Sequence, residues 1–380
     1  MKKVLLLVLC LSLVLVGGCW DVLVVEELAL AFAIGIDHDV NNPRRFILSM
    51  TNPTFSETSQ SDTRKILTES YSLSNAFFNL QRQRERILVL GQITSIVFSE
   101  EAARSGLLHN IMRQVDQQRD MNPNVHLLIV RGHKAQDVIF MKPEENARVA
   151  VYLDKVMNTN FTAGEAPRIS ASRYWVSYST AGIDPVIPVI ELTGPGEEEK
   201  KTDGVIITGL AALDYTGRMQ GFLNDKQTYY FMLLTGQNHR SRMTTRLDID
   251  GQVRDTSFYV KDVSLKVKPA LENGRPRLAL KMALEVDVIN IEWDVDVEQE
   301  GVDEIIETAL ARDFQGNALE VIRLTQDWGT DIVGLGQHMR IKYPRWFKDE
   351  RWRQEYRNAH ITLEVKVKVR RVGTLIRPQY

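Results

Sequence analysis

The chain has 380 residues, of which 44% are hydrophobic and 25% are charged, and its formal net charge is −2. This balance excludes the strongly basic surface that is typical of nucleic-acid-binding proteins, and the length predicts two or three domains. The two cysteines stand at positions 10 and 19, near the N-terminus. The rest of the chain therefore cannot form an internal disulfide and must be held by its apolar cores.

The N-terminus carries the features of a lipoprotein signal. Two lysines precede an apolar run over residues 4–16, which is too short to span a bilayer, and Gly17, Gly18 and Cys19 follow it. Small residues directly before a cysteine predict cleavage after residue 18, S-diacylglycerol transfer to the Cys19 sulfur and N-palmitoylation of the new N-terminus. The alternative is an ordinary signal peptide that happens to contain a cysteine, but no A-x-A cleavage site competes.

The next stretch of the chain alternates short strands with helices. Apolar runs bounded by turn residues predict strands, and residues capped by Ser or spaced three and four apart predict helices. The predicted strands lie near residues 28–36, 44–50, 65–67, 87–90, 93–98 and 125–130. The predicted helices lie near residues 72–84, 99–106, 107–115, 134–141 and 144–157. This alternation is typical of an α+β domain.

A change of composition marks a domain boundary. Residues 184–188 hold two prolines and are predicted to be extended, and turn formers followed by a charge run occupy residues 194–201. We therefore predict an N-terminal α+β domain over 19–193, a linker over 194–203, a small middle domain over 204–252 and a C-terminal α+β domain over 253–380. A long surface loop is the alternative interpretation of the linker.

The final third has the clearest periodicity. Apolar and polar residues alternate over 263–267, 278–288 and 361–369, which predicts strands with one buried and one wet face. Between the last two lies a long helical stretch with an apolar stripe that should cover the sheet, formed by Ile306, Leu310, Phe314, Ala318, Val321 and Ile322. Gly316 lies inside this stretch and could break it. Shorter helices are predicted at 331–338 and 345–356.

The sequence contains no recognisable set of residues for catalysis or metal binding. The seven histidines are far apart and none has the H-E-x-x-H spacing of a zinc site. The chain has no G-x-S-x-G elbow and no Walker loop. An acidic stretch over 285–300 could hold a metal, but pairing with Lys366, Lys368 and Arg370 on a neighbouring strand explains it better. We therefore predict no enzyme activity, no cofactor and no metal.

Several short motifs follow one another along nearly the whole mature chain. They are Cys19-Trp20-Asp21, Gly35-Ile36-Asp37, Glu100 to Gly106, Asp184-Pro185 to Pro188, Gly209 to Asn224, Asp331 to Gly336, Pro344-Arg345-Trp346 and Arg371-Val372-Gly373. In their order and spacing these motifs resemble the Ger(x)C family, the lipoprotein C subunits of spore germinant receptors. Gly91-Gln92 stands where the family often has Gly-His.

The resemblance implies a three-domain α+β fold of mixed sheets flanked by helices, with Cys19 as the site of lipid attachment. It also implies a non-enzymatic subunit of a nutrient germinant receptor, whose partners are the bilayer and the multi-spanning A and B type subunits. The implied location is the outer face of the spore inner membrane. The alternative function is that of an extracytoplasmic solute-binding lipoprotein of an importer, which would have two similar α/β lobes around a cleft.

Overall fold

The computed structural model describes residues 28–30, 32–53, 63–83, 85–143, 148–193, 204–237, 241–249, 251–292 and 301–372. Cys19 and the predicted linker over 194–203 lie outside these residues. The described chain is a mixed α+β fold with an eight-stranded sheet and a four-stranded sheet, which confirms the predicted fold class. None of the helices described is long and apolar enough to cross a bilayer.

The described residues form fourteen strands and ten helices, numbered here in chain order. The strands are β1 Leu28–Leu30, β2 Ala33–His38, β3 Phe46–Pro53, β4 Thr63–Ser70, β5 Ile87–Val89, β6 Ser95–Ser99, β7 His126–Val130, β8 Val186–Thr193, β9 Gly204–Leu213, β10 Met219–Asn224, β11 Arg242–Ile249, β12 Gln252–Glu272, β13 Arg275–Ile291 and β14 His360–Val372. The helices are α1 Leu73–Arg82, α2 Glu100–Ser105, α3 Leu107–Asp116, α4 Ala135–Phe140, α5 Val149–Ala163, α6 Ala171–Ser179, α7 Asp225–Leu234, α8 Val302–Trp328, α9 Leu335–Lys342 and α10 Asp349–Tyr356.

The large sheet has the order β10-β9-β8-β7-β6-β2-β3-β4. Its four central strands, β8, β7, β6 and β2, are parallel, and two antiparallel strands flank them on each side. Every residue of β6 and β7 is buried, because helices cover both faces of the sheet, as parallel strands require. Helices α1, α2 and α3 contribute to the larger apolar core, and α4 and α5 form the smaller one.

The second sheet has the order β11-β12-β13-β14, with β13 and β14 parallel. Its apolar face is covered by α8, whose predicted stripe from Ile306 to Ile322 is buried. The alternation predicted for β13 is confirmed, because Leu278, Leu280 and the following even-numbered positions to Val288 are buried. The break considered at Gly316 is wrong, since α8 runs through it unbroken. Gly316 is on the exposed side of α8. The packing of the buried apolar stripe on the other side stabilises the helix despite the glycine.

Residues 204–252 contribute to both sheets. The strands β9 and β10 extend the large sheet beside β8, whereas β11 is the edge of the four-stranded sheet. In the described part of the chain this segment has no sheet of its own, and the domain boundaries predicted around it stay a prediction. The segment therefore supplies strands to both sheets. Buried residues of both sheets belong to one continuous apolar core.

Some element bounds differ from the prediction. The strand expected near 65–67 spans Thr63–Ser70, since its pairing with β3 holds polar residues in the ladder. Helix α6 was not predicted; Ser170 caps it, and only Ala171 and Tyr174 are buried, so its apolar signal is weak. The last two helices begin later than predicted, at Leu335 and Asp349. The residues before Leu335 instead form the turn described below.

Candidate functional site

The predicted lipid-attachment residue Cys19 lies outside the described residues. The described chain begins at Leu28, which pairs in parallel with Ile87 in the small β1–β5 ladder. This ladder fixes the point from which the N-terminal segment leaves the folded body. Attachment of lipid to Cys19 stays a prediction.

Two of the motifs quoted above meet at a buried junction between the two sheets. Asp184, two residues before β8, accepts a 2.7 Å hydrogen bond at its Oδ2 from the backbone N–H of Asp331. The backbone N–H of Asp184 in turn donates to the carbonyl oxygen of Asp331 over 2.9 Å. Both side chains are buried, with 7% and 3% of their surface exposed. The D-P-x-x-P motif and the D-I-V-G-L-G motif therefore form one interaction, which we call the aspartate junction.

The Asp331 carboxylate organises the turn that leads into α9. Its Oδ1 accepts from the backbone N–H groups of Gly334 and Leu335, at 2.9 and 3.0 Å. Its Oδ2 accepts from Gly336 N at 2.6 Å and from Trp352 Nε1 at 2.9 Å. Four donors converge on one side chain, and three of them are backbone groups at the start of a helix that would otherwise lack partners.

Glycines allow the backbones at this junction to approach closely. A Cβ at Gly336 would lie 2.3 Å from Trp352 Nε1, and one at Gly182 would lie 2.5 Å from the Gly336 carbonyl carbon. The Gly182 N–H also donates to Asp349 Oδ1 at 3.1 Å. Helix α10 is thereby tied to both segments, because Asp349 is in its first turn and Trp352 is in the next.

Burial perturbs both carboxyl groups. Loss of solvent, together with repulsion from Asp331, raises the pKa of Asp184 to about 7. Burial also raises the pKa of Asp331 to about 6, and its four hydrogen-bond donors oppose that rise. Both carboxyl groups therefore take up a proton at a higher pH than an exposed aspartate does. The adjoining cavity holds about 10 Å³, room for about one water molecule, so the junction links the two sheets and leaves no space for a ligand.

Open clefts lie beside the junction. One of about 400 Å³ is lined by Arg173, Ile183, Phe231, Gln237 and His338, among others. It shares Arg173, Ile183 and Gln237 with a larger cleft of about 940 Å³. Both clefts are lined by a mixture of polar, charged and apolar residues. The clefts lie beside the junction and are open to solvent, so neither is an enclosed pocket.

His126 lines the larger cleft at the start of β7. Its Nε2 lies 3.2 Å from Asp154 Oδ1, and burial lowers its pKa while Asp154 opposes that change. His133, the other histidine of this region, is exposed in the bend that follows β7. Among the residues that the structure describes, no group of three or more His, Cys, Asp or Glu side chains could hold a metal ion. The acidic residue Glu285 instead pairs with Arg370, as expected from the sequence.

Residues of two other quoted motifs, Gly35 to Asp37 and Gly209 to Asn224, have structural roles. Asp37 accepts 2.7 and 2.9 Å hydrogen bonds from the N–H groups of Ala135 and Gln136, at the start of α4. A Cβ at Gly221 would lie 2.0 Å from the Trp328 ring, and Asn224 forms a capping box with Gln227 in α7.

Sequence reasoning missed the contact between Asp184 and Asp331. A local signal existed at Asp331 alone, since an aspartate followed by glycines three and five positions later favours a turn whose N–H groups bond the carboxylate. Nothing in the sequence pairs that turn with a segment 147 residues away.

Comparisons with known proteins agree with this architecture. The model of the spore germination protein N-terminal domain matches residues 21–192, and the model of the spore germination B3/GerAC-like C-terminal domain matches residues 208–373. The two matches together cover most of the chain and divide it between β8 and β9. That division places the large sheet's last two strands in the second half.

Individual relatives match over almost their whole length. Spore germination protein KC of Bacillus subtilis (strain 168) is 22% identical over 396 residues, which covers 98% of this chain and 96% of the relative. Spore germination protein B3 of the same organism is 22% identical over 378 residues, covering 94% and 95%. The crystal structure of the GerBC protein has a TM-score of 0.58 at 17% identity, covering 90% of this chain and 98% of that one.

Proposed function

Because the chain belongs to the Ger(x)C family of spore germination proteins, we propose that it is the lipid-anchored C subunit of a nutrient germinant receptor. The observation that carries this proposal is the pair of family matches, which together span residues 21–192 and 208–373. The similarity of its fold to GerBC supports the same assignment at the level of architecture.

The proposed subunit acts by assembly and not by catalysis. Its described residues form an eight-stranded sheet and a four-stranded sheet that are joined through the aspartate junction. Acyl chains at Cys19 would hold this body against the outer face of the spore inner membrane. Two or three chains suffice for stable anchoring, where one is marginal. Tethering raises the effective concentration for docking on multi-spanning A and B type subunits, so modest interfaces are enough.

The solute-binding alternative predicts two similar α/β lobes around a cleft. The two sheets described here differ in size and topology: eight strands with a parallel centre, and four strands with one parallel pair. Nothing in this fold therefore favours that alternative over the receptor subunit.

Deletion of the gene tests the proposal. Spores that lack the protein should lose the response to at least one nutrient, measured as the fall in optical density after nutrient addition. Reintroduction of the wild-type gene should restore that response, and germination by a chemical that bypasses receptors should stay normal as the control. Normal germination of the deletion strain with every nutrient tested would contradict the proposal.

A further inference from the structure

The outward face of α1 exposes an aromatic residue beside an arginine. Leu73, Ala76, Phe77 and Leu80 point into the core, whereas Phe78 is 60% exposed. The Arg82 guanidinium lies one turn further on, 5.7 Å from the centre of the Phe78 ring. A phenylalanine that is this exposed, next to a cation, differs from the charged or polar residues that usually occupy the wet face of a helix.

The strand after α1 also exposes an apolar residue. Ile87, the first residue of β5, is 42% exposed. The Gln81 side chain holds the connection in place, since its Nε2 donates to the Arg86 carbonyl oxygen at 3.1 Å and its Oε1 accepts from Leu88 N at 2.7 Å. Phe78, Arg82, Arg86 and Ile87 together are called the α1–β5 surface below.

The charge of this segment is positive. Residues 81–86 read Gln-Arg-Gln-Arg-Glu-Arg, with three arginines and one glutamate. Arginine binds phosphate oxygens with two parallel N–H groups and is weakly hydrated for a cation. Exposed apolar side chains set among arginines are the composition of surfaces that lie in the headgroup region of anionic bilayers.

The α1–β5 surface also lies where the chain leaves the body. Leu28 pairs directly with Ile87, and only the eight residues 20–27 separate it from Cys19. A fully extended chain covers at most about 3.3–3.6 Å per residue, so the nine steps from Cys19 to Leu28 span at most roughly 30 Å. Any anchor at Cys19 therefore keeps Leu28, and Ile87 beside it, within roughly 30 Å of the lipid-bearing residue.

We propose that the α1–β5 surface docks on a phospholipid bilayer through its anionic headgroups, with Phe78 and Ile87 entering the interface and Arg82 and Arg86 bound to phosphates. This inference rests on the proposed anchor at Cys19, because the short tether is what brings the surface to the bilayer. Docking through this surface, together with the tether at Cys19, would restrict the orientation of the body relative to the membrane.

Hydrogen exchange on a tethered protein tests the docking. The chain from residue 19 onward has a single cysteine, so Cys19 can be coupled to a maleimide phospholipid in vesicles whether or not cells acylate it. Amide exchange in the segment 78–89 should be slower on vesicles with phosphatidylglycerol than on pure phosphatidylcholine, and high salt should remove the difference. The triple variant Phe78→Ser, Arg82→Gln, Arg86→Gln should lower docking by roughly tenfold or more, since each arginine near an anionic surface contributes measurably.

A matched control comes from the other half of the molecule. Ile341 is 75% exposed beside the exposed Arg340, so Ile341→Ser with Arg340→Gln removes the same chemistry at a distant site and should leave protection of 78–89 unchanged. Exchange in 78–89 that is equal on both vesicle types would overturn the proposal and leave the surface for a protein partner. Equal protection in the triple variant would overturn it as well. Failure of cells to acylate Cys19 would instead contradict the proposed function, which membrane fractionation measures separately.

Discussion

Asp184 and Asp331 exchange two hydrogen bonds across 147 residues of sequence. The side chain of Asp184 accepts from Asp331 N at 2.7 Å, and its backbone N–H donates to the Asp331 carbonyl oxygen at 2.9 Å. The first residue precedes a central strand of the large sheet, and the second precedes α9, which contacts β12 of the other sheet. This reciprocal contact fixes one half of the molecule against the other.

The variant Asp331→Asn should destabilise the fold. In the wild type, both carboxylate oxygens of Asp331 accept from backbone or indole N–H groups. Asparagine keeps one acceptor oxygen but replaces the other with an NH₂ group, which cannot accept from these donors. Leaving buried donors unsatisfied costs about 1–3 kcal/mol. Urea denaturation at neutral pH measures the loss, and the exposed Asp248→Asn should change stability little as the matched control. Equal midpoints for the two variants would contradict the role given to Asp331.

The variant Asp184→Asn should gain stability over the wild type as the pH rises. Burial raises the pKa of Asp184 in the folded protein from 3.8 to about 7, so the folded state keeps a proton that the unfolded state has lost. The stability linked to this group is complete below pH 4 and is lost as the pH rises through 7. Asparagine retains the acceptor for Asp331 N and has no proton to lose.

Denaturation midpoints at pH 5 and pH 8 test this expectation. The free energy of unfolding of Asp184→Asn relative to wild type should increase by about 2–3 kcal/mol between the two values. A difference that is constant with pH would mean that Asp184 is ionised in the folded protein throughout this range.

The variant Gly221→Ala should destabilise the contact between β10 and the end of α8. A Cβ at position 221 would lie 2.0 Å from a Trp328 ring carbon, so the ring or the strand must move. Overpacking of this kind costs about 1–3 kcal/mol. Thermal unfolding measures the loss, and the additional change Trp328→Phe should recover part of it by making room.

The variant Gly316→Ala is the opposite case and serves as its control. Gly316 lies in the middle of α8 with nothing within 4 Å of the added Cβ. Alanine should stabilise the protein by about 0.5–1 kcal/mol, because glycine loses more backbone freedom on helix formation. A lower melting temperature for this variant would show that α8 needs the glycine for a reason other than helix geometry.

The variant Asp37→Ala should weaken the start of α4. Its carboxylate accepts from Ala135 N and Gln136 N, and loss of a helix cap costs about 0.5–2 kcal/mol. Asp37→Asn should recover part of this loss because it keeps one acceptor. Chemical denaturation of the two variants side by side measures the difference, and equal loss in both would assign the effect to charge instead of capping.

The variant Cys19→Ala should leave the fold intact and release the protein from membrane fractions. Without the thiol there is no nucleophile for diacylglycerol transfer, and the described helices supply no span to replace it. Immunoblots of membrane and soluble fractions measure retention. Full retention would mean that protein partners, and not lipid, hold the chain at the membrane.

Sequence reasoning recovered the features that are local. The alternation in β13 and β14 and the apolar stripe of α8 followed directly from side-chain periodicity, because a half-buried strand or helix must present its apolar residues on one side. The short motifs identified the family, and several of their described residues are glycines at close backbone approaches or aspartates that accept from N–H groups at turns and helix starts. Cys19 depends on local sequence alone and is the one candidate site that the sequence by itself provides.

The tertiary structure decided what joins distant segments. It placed β9 and β10 beside β8 in the large sheet, although both strands follow the change of composition at residues 194–201. Strand pairing depends on which strand edges meet in space. It also brought Asp184 to Asp331, and Ile87 to Leu28 at the start of the body. Contacts of this kind depend on how separately predicted elements pack. The periodicity of one helix or strand shows which of its faces is buried, but not which other element covers that face. The sequence by itself predicted the elements and the anchor at Cys19, and only the fold revealed the junction and the surface that we propose faces the membrane.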